Sequence, residues 1–434
     1  MSFQEQSSRD EALNSIYTGQ NAGNLRIALV FIDAGGGHRA SGTALKQVIE
    51  TQMRPWQTVL VNLRDILGPR DPIQNWTGIR FEEFYNELLT RRITIGNGAL
   101  LRLGQAIIGI THRSVVHSFA RYWRKLKPEL VVSLIPNFNR AMLEGLRVAD
   151  HSMSRTVIPL ATVLTDLADC PPRFWIEHHD QYLVCGTDAA MRQARLAGHH
   201  ENRMFQTSGM IVRPEFYERP TLEQHRERER LGLDPYLPTG IVMFGGCGSR
   251  QMLTIARRLA AAESRAQMIF LCGRNDDLAA KLRHVKLPSP CAIEGFTSDV
   301  ANLMALTDFY IGKPGPGSIS EALVMRLPVI VERNAWTMVQ ERFNTDWVVE
   351  NELGIALRSF DEVASAVEVM SNPPRLAHFR SRVASLRNRA AFEIPEVLAT
   401  LVSGSGAVDT SWDLTIGVPR PKLEQRLGSR ASHD

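Results

Sequence analysis

The sequence predicts an α/β protein built from two domains, each a parallel sheet flanked by helices, facing one another across a cleft. Three observations predict it. Short apolar runs alternate with amphipathic stretches, a polar charge-rich segment interrupts this alternation once, and glycine-rich loops stand between strands and helices in both halves.

In the first half the apolar runs are Arg26–Ile32, Thr58–Leu63, Leu130–Leu134, Ile158–Thr165, Tyr182–Cys185 and Met204–Thr207. Behind the first of them Ala40, Ala44, Leu45, Val48 and Ile49 recur at helical spacing on one face. A charged connection runs from Pro214 through Gln224–Arg230 to Pro238, and the pattern then restarts. The second set is Ile241–Phe244, Met268–Cys272, Cys291–Ile293, Phe309–Ile311, Val329–Val331 and Ile355–Leu357. The expected division is an extension over 1–24, a first domain over 25–215, a linker over 216–238, a second domain over 239–403 and a loose tail over 404–434. A length of 434 residues suits two domains of this kind.

Composition narrows the function classes. The chain is 44% hydrophobic and 22% charged with a small net charge of +4, and its far greater use of Arg than Lys suits anion binding without demanding a nucleic-acid partner. Its five cysteines form no CxxC pair and no zinc spacing, so they read as reduced thiols of a cytosolic protein and no metal is expected. The first 24 residues lack the apolar core of a signal peptide, and no apolar run reaches 18 residues, so a membrane role would be peripheral. The stretch from Gly104 to Lys127 mixes apolar residues with Arg113, Arg121, Arg124, Lys125 and Lys127. It reads either as an ordinary helix with a basic edge or as a helix lying on an anionic membrane.

Three loops carry the chemistry. Asp33-Ala-Gly-Gly-Gly-His38-Arg-Ala-Ser41 joins the first strand to the first helix. Its glycines, Gly36 and Gly37 among them, allow close backbone approach, and the helix start that follows favours an anion or a developing charge. His38 projects at the carboxyl edge of the sheet, as a structural residue or as a base. Gly312-Lys313-Pro-Gly-Pro-Gly-Ser318-Ile-Ser-Glu321 repeats the arrangement in the second half, and Phe244-Gly-Gly-Cys-Gly-Ser249 follows the first strand there. Gly245, Gly246, Ser249, Gly315, Gly317 and Ser318 suit diphosphate oxygens, and Glu321 can accept two ribose hydroxyls. Asp166 ends a strand near His38, as a helix cap, an orienting group or a base in its own right. Gln340, Glu341 and Asn344 could meet hexose hydroxyls or simply begin a helix. No DxD motif is present, so amides and cations rather than a metal would neutralise a diphosphate.

With these loops in order, the sequence resembles glycosyltransferase family 28, and within it the monogalactosyldiacylglycerol synthases and related diacylglycerol glycosyltransferases. The matching stretches are Gly35–Ser41, Thr162–Leu167, Gly209 to Phe216, Cys272–Asn275, Gly295–Thr297 and Lys313–Leu323. The resemblance implies a GT-B fold and an inverting hexosyltransferase that uses a UDP-sugar without a bound cofactor. Its acceptor would be a lipid such as diacylglycerol, met at the inner face of the membrane by a peripheral cytoplasmic enzyme. It further implies that His38 is the base, with Asp166 as partner or rival, and that Arg274 or Lys313 assists the diphosphate. Phe296 would frame the uracil, Gln340 and Glu341 the hexose, and Trp175 would stand near the lipid acceptor. A polyprenyl-linked or soluble acceptor, or UDP-sugar 2-epimerase chemistry, are the alternatives. The chain departs from its relatives in a shorter glycine cluster at Gly245–Arg250 and in Thr337-Met-Val-Gln-Glu341, where they carry Pro-Gly-Gln-Glu.

Overall fold

A computed structural model describes residues 25–33, 36–68, 97–150, 158–218, 223–335 and 337–403; for 97–107 and 150 it describes the backbone path alone. The expected extension over 1–24, the tail over 404–434 and Gly35 of the first loop lie outside the described residues.

The first lobe opens with β1 (Leu25–Phe31), α1 (Gly37–Thr51), β2 (Trp56–Asn62), α2 (Leu63–Leu67) and the long α3 (Asn97–Leu126). It continues through β3 (Leu130–Ser133), α4 (Asn139–Asp150), β4 (Leu160–Val163), β5 (Tyr182–Cys185), α5 (Asp188–Leu196) and β6 (Met204–Gln206). A short α6 (Gln224–Arg230) precedes the second lobe, which runs β7 (Thr239–Met243), α7 (Gln251–Ala261), β8 (Gln267–Leu271), α8 (Asp276–Arg283), β9 (Cys291–Glu294) and α9 (Val300–Ala305). Then come β10 (Phe309–Gly312), α10 (Pro316–Val324), β11 (Val329–Glu332), α11 (Val339–Glu350), β12 (Gly354–Leu357), α12 (Val363–Ser371), α13 (Pro373–Ser385) and α14 (Ala390–Ser403).

Each lobe holds one six-stranded sheet, and every strand pairing is parallel. The orders are β2-β1-β3-β4-β5-β6 and β12-β11-β10-β7-β8-β9. Strands buried on both faces must be apolar throughout, so the apolar runs locate them to within about two residues. The order of each sheet reverses once beside its first strand, between β1 and β3 and between β7 and β10. Loops leaving adjacent strands there diverge to opposite faces and open a crevice at the carboxyl edge. The two sheets are Rossmann-like and face one another across a cleft.

The first sheet is packed on one side by α3 and α4, through Val115, Phe119, Trp123, Met142 and Leu146. The apolar residues of α3 that suggested a membrane-lying helix are thus largely spent on this core. Of those with described side chains, Ile110 stays 66% exposed, beside exposed Arg113, Arg121, Arg124 and Lys125.

The other side of that sheet is covered by α1 and by α14, whose Ala391, Ile394, Val397 and Leu398 pack with Ile27, Leu29, Leu45 and Ile49. The limits expected from the sequence assign residues up to 403 to the second domain, whereas α14 crosses back to the first. An amphipathic helix does not encode which sheet face it covers, and the first sheet has one left open. Gln52 Nε2 donates to the Phe392 carbonyl at 3.3 Å, and Arg54 pairs with Glu396. The expected linker is also built in: Phe216 and Leu233 lie in the second-lobe core, and buried Arg228 donates to the Leu306 and Pro235 carbonyls.

Leu398→Ala removes apolar contact from the first lobe, and a loss of about 2–5 kcal/mol in unfolding free energy is expected in urea titration. An unchanged midpoint would show that α14 does not hold that lobe.

Candidate active site

At the first reversal point, Gly36 adopts φ +81° and starts α1 without a side-chain cap. A Cβ at Gly36 or Gly37 would meet nothing within 4 Å, so both face open space. His38 follows in the first turn. Its Nδ1 lies 2.8 Å from the carbonyl oxygen of Leu134, the residue immediately after β3. A carbonyl can only accept, so Nδ1 carries the proton and Nε2 keeps the lone pair. The Thr165 hydroxyl lies 3.1 Å from the same Nδ1. Burial pushes the imidazole down to about 4, against a smaller opposing pull from the Leu134 carbonyl, so the ring is neutral at pH 7.

Asp166 is not the partner of His38. Its Oδ2 accepts from the Trp175 indole Nε1 at 2.7 Å, and its environment is buried. Burial raises it to about 7; the Trp175 hydrogen bond opposes the rise, Glu341 and Asp169 add to it, and Lys313 lowers it. Lys313 and Glu341 belong to the second lobe, so Asp166 feels charges across the cleft. Trp175 itself is 0% exposed, with its backbone N–H donating to Asp169 at 2.6 Å. The resemblance puts it near the acceptor; here it is buried against Asp166, and its ring lies 6.0 Å from the His38 ring between centroids. A large indole beside a sheet edge is worth more as core than as surface, which is why it turns inward.

The second reversal point carries the other two glycine loops. Gly315 caps α10 without a side-chain bond, Pro316 takes the first helical position, and no acid stands in the first turn. The free amides of that turn carry the positive potential of a helix start, which suits an anion. A Cβ at Gly317 would meet nothing within 4 Å, while one at Gly315 would approach Lys313, Ser318 and Glu341. Ser318 Oγ donates to the Gly315 carbonyl at 3.3 Å. Lys313 Nζ lies 3.7 Å from Glu341 Oε1, and Asn344, wholly buried, donates to the Pro314 carbonyl at 2.8 Å.

Across from it Gly245 takes φ +78°, and the space beside Gly246 is open. The Arg274 amide donates to the Gly246 carbonyl at 2.8 Å, and Gly273, at φ +62°, leaves no room for a side chain against Gly246. Ser249 Oγ accepts from the Gln251 amide at 3.3 Å, at the start of α7. The Arg274 guanidinium sits 4.1 Å above the Phe296 ring, which is 57% exposed, giving a flat platform beside the loop. Gln340 and Glu341 open α11 and are largely buried toward the same region.

Glu321 lies one turn into α10, with Arg213 Nε 3.7 Å from its Oε1. Burial raises it to about 7, Arg213 pulling it down and Glu215 pushing it up. Arg213 carries no signal of its own in the sequence beyond its place in the stretch that ends at Phe216. The Leu134 carbonyl carries none at all, being backbone. Among the described residues no group of three or more His, Cys, Asp or Glu is arranged to hold a metal ion.

No family model matches the chain. In sequence it is 29% identical over 360 residues to the chloroplastic monogalactosyldiacylglycerol synthase of Spinacia oleracea. That alignment takes in 80% of this chain and 66% of the spinach protein, just under two thirds of its length. In fold it is similar to MurG of Acinetobacter baumannii, with a TM-score of 0.53, 11% identity, and 86% and 99% of the two chains covered. The UDP-GlcNAc 2-epimerase of Neisseria meningitidis, solved bound to UDP-GlcNAc, overlays with a TM-score of 0.51, 12% identity, and 87% and 100% covered.

Gly317→Ala adds a methyl group in open space at a helical position, so folding should be unchanged or slightly improved. If the first turn of α10 holds a diphosphate, UDP affinity should fall by about tenfold or more in calorimetry; equal affinity would move the anion elsewhere. For Asp166 the sign follows from a folded value of about 7 against the ordinary aspartate value of about 3.9. The folded state holds the proton more tightly, so stability falls as pH rises from about 4 to 7 and then levels. Asp166→Asn, which can keep the Trp175 bond, should raise the thermal midpoint at pH 8 with the gain shrinking toward pH 4. A gain independent of pH would contradict the buried charge. In sequence the chain is similar to the monogalactosyldiacylglycerol synthases, and its fold is of the GT-B kind.

Proposed function

We propose that the chain is an inverting glycosyltransferase that moves a hexose, galactose or glucose, from a UDP-sugar to the hydroxyl of a membrane lipid such as diacylglycerol. The observation that carries the reading is the pairing of two reversal points: a neutral imidazole with a free Nε2 on one lobe, an uncapped glycine-opened helix start on the other. Likeness to the spinach synthase supports the lipid acceptor and the galactose donor.

In this reading the α10 amides, Ser318 and Gly245–Gly246 hold the diphosphate, assisted by Lys313. The Arg274–Phe296 platform meets the uracil and Glu321 the ribose. Gln340 and Glu341 meet hexose hydroxyls. The acceptor hydroxyl enters past Gly36 and Gly37 and gives its proton to His38 Nε2 as its oxygen attacks C1 on the face opposite the diphosphate. The C1–O bond to the β-phosphate breaks, UDP leaves, and its new charge is met by amides already in place. The Leu134 carbonyl holds the Nδ1 proton throughout, so the imidazolium formed is stabilised where it stands. Asp166 acts on this site from a distance, as a charge facing Lys313 and Glu341.

Attachment would be peripheral: among the described residues no helix is long and apolar enough to cross a membrane. The exposed basic edge of α3 with Ile110 at its side suits an anionic bilayer on the cytoplasmic side.

The test is turnover of UDP-galactose and UDP-glucose with diacylglycerol vesicles, followed by product mass, for the natural chain and His38→Ala. A β-hexosyl lipid is expected, with His38→Ala about 100-fold or more slower and UDP affinity retained. Near-normal turnover would remove His38 from the base role. A new UDP-sugar epimer in the acceptor-free arm would replace the transferase reading.

A further inference from the structure

Behind the cleft the chain crosses between the lobes twice, and the crossings touch. Ser208 Oγ and N–H both donate to the Glu393 carboxylate at 2.7 Å, and the Arg389 amide donates to Ser208 Oγ. Beside this tie lies a cavity of about 250 Å³ whose walls come from both lobes. Its apolar surface includes Leu167, next in sequence to Asp166, Leu323 and Val324 of α10, Trp347 of α11, and Val383 and Leu386 of the returning crossing. Two cations, Arg326 and Arg387, line it at exposed positions, and no Asp or Glu does. Neither guanidinium has an ion-pair partner among the described residues. Tyr217, a further wall, has its hydroxyl buried without a hydrogen-bond partner among them.

A mainly apolar wall, interrupted by Ser208, Ser320 and Asn388, with two guanidinium groups lacking an ion-pair partner among the described residues and no acid, suits one class of ligand. We propose that this cavity binds a single-chain carboxylate amphiphile, its carboxylate on Arg326 and Arg387 and its chain between the lobes. The volume is that of about eight water-sized groups at about 30 Å³ each, so a chain of eight to ten carbons fills it. Carboxylate and guanidinium match as a forked, charge-assisted pair, and the chain covers apolar surface that a hinge otherwise leaves to water.

The ligand would also act on the cleft. A molecule touching both walls stabilises the lobe spacing in which Asp166 feels Lys313 and Glu341, and one wall is α10, whose first turn is the diphosphate site proposed above. Binding of the amphiphile and of UDP are then linked in both directions by the same factor. This coupling rests on the donor reading; the cavity site does not.

The experiment is isothermal calorimetry on the full chain without donor, using decanoate below its micelle concentration, with 1-decanol and acetate as controls. Decanoate should bind at one site, 1-decanol about tenfold or more weakly, and acetate undetectably. Arg326→Gln combined with Arg387→Gln, both surface positions, should weaken decanoate about tenfold or more while leaving 1-decanol unchanged. Ala384→Trp, which fills the space from an exposed wall position, should abolish both. Equal binding of decanoate and 1-decanol, indifference to the arginine pair, or absence of binding would overturn the site. A second titration, UDP with and without saturating decanoate, should show about threefold tighter UDP; an unchanged UDP affinity would overturn the coupling while leaving the site. Failure of UDP to bind in either condition would count against the donor reading alone, since the first titration still decides the cavity.

Discussion

A parallel sheet can reverse its strand order only by sending two neighbouring connections to opposite faces, and the transfer site proposed for this molecule lies where that happens. In the first sheet the reversal parts the connections after β1 and β3, which bring His38 and the Leu134 carbonyl within 2.8 Å. In the second it parts those after β7 and β10, which carry the glycines at Gly245–Gly246 and Gly315–Gly317. Unpaired amides are unavoidable at such places, because helix starts lie there with no strand or helix to satisfy them. Glycine at these points leaves the amides reachable; a β-carbon at Gly273 would collide with the Gly246 backbone, and the loops could not share the crevice.

Burial between the lobes sets the electrostatics. His38, Asp166 and Glu321 are all shifted first by loss of water, toward their neutral forms: the imidazole down to about 4, the carboxylates up to about 7. Three groups displaced the same way by the same cause mark a region of low dielectric, and such regions strengthen each remaining charge. Lys313, paired loosely with Glu341 at 3.7 Å and close enough to influence Asp166, is well placed to answer a diphosphate there. Asp166 is held by an indole rather than by an imidazole, which keeps it ordered without making it part of a relay.

Much of this is legible in the sequence because buried parallel strands must be apolar along their whole length. Tyr182–Cys185 coincides with β5, and the other strands fall within a couple of residues of their apolar runs. The helical face of α1, at Ala44, Leu45, Val48 and Ile49, follows from spacing alone and is buried as expected. What the sequence hides is of two kinds. Backbone partners such as the Leu134 carbonyl have no residue-type signature. Long-range choices have none either: α14 could cover either sheet, Trp175 could face in or out, and Asp166 could meet His38 or the indole. Arg213 opposite Glu321 belongs to the second kind, since the two stand more than a hundred positions apart and on different elements.

The central claim is that a uridine diphosphate sits on the first turn of α10 with its sugar toward His38. The most direct measurement is a crystal structure of the chain with UDP and a non-transferable UDP-hexose analogue. The account requires phosphate oxygens within hydrogen-bond distance of the Gly317 and Ser318 amides, and the anomeric carbon on the side of the cleft that His38 Nε2 faces. Phosphates bound away from α10, or an imidazole whose Nε2 is turned from the sugar, would contradict it.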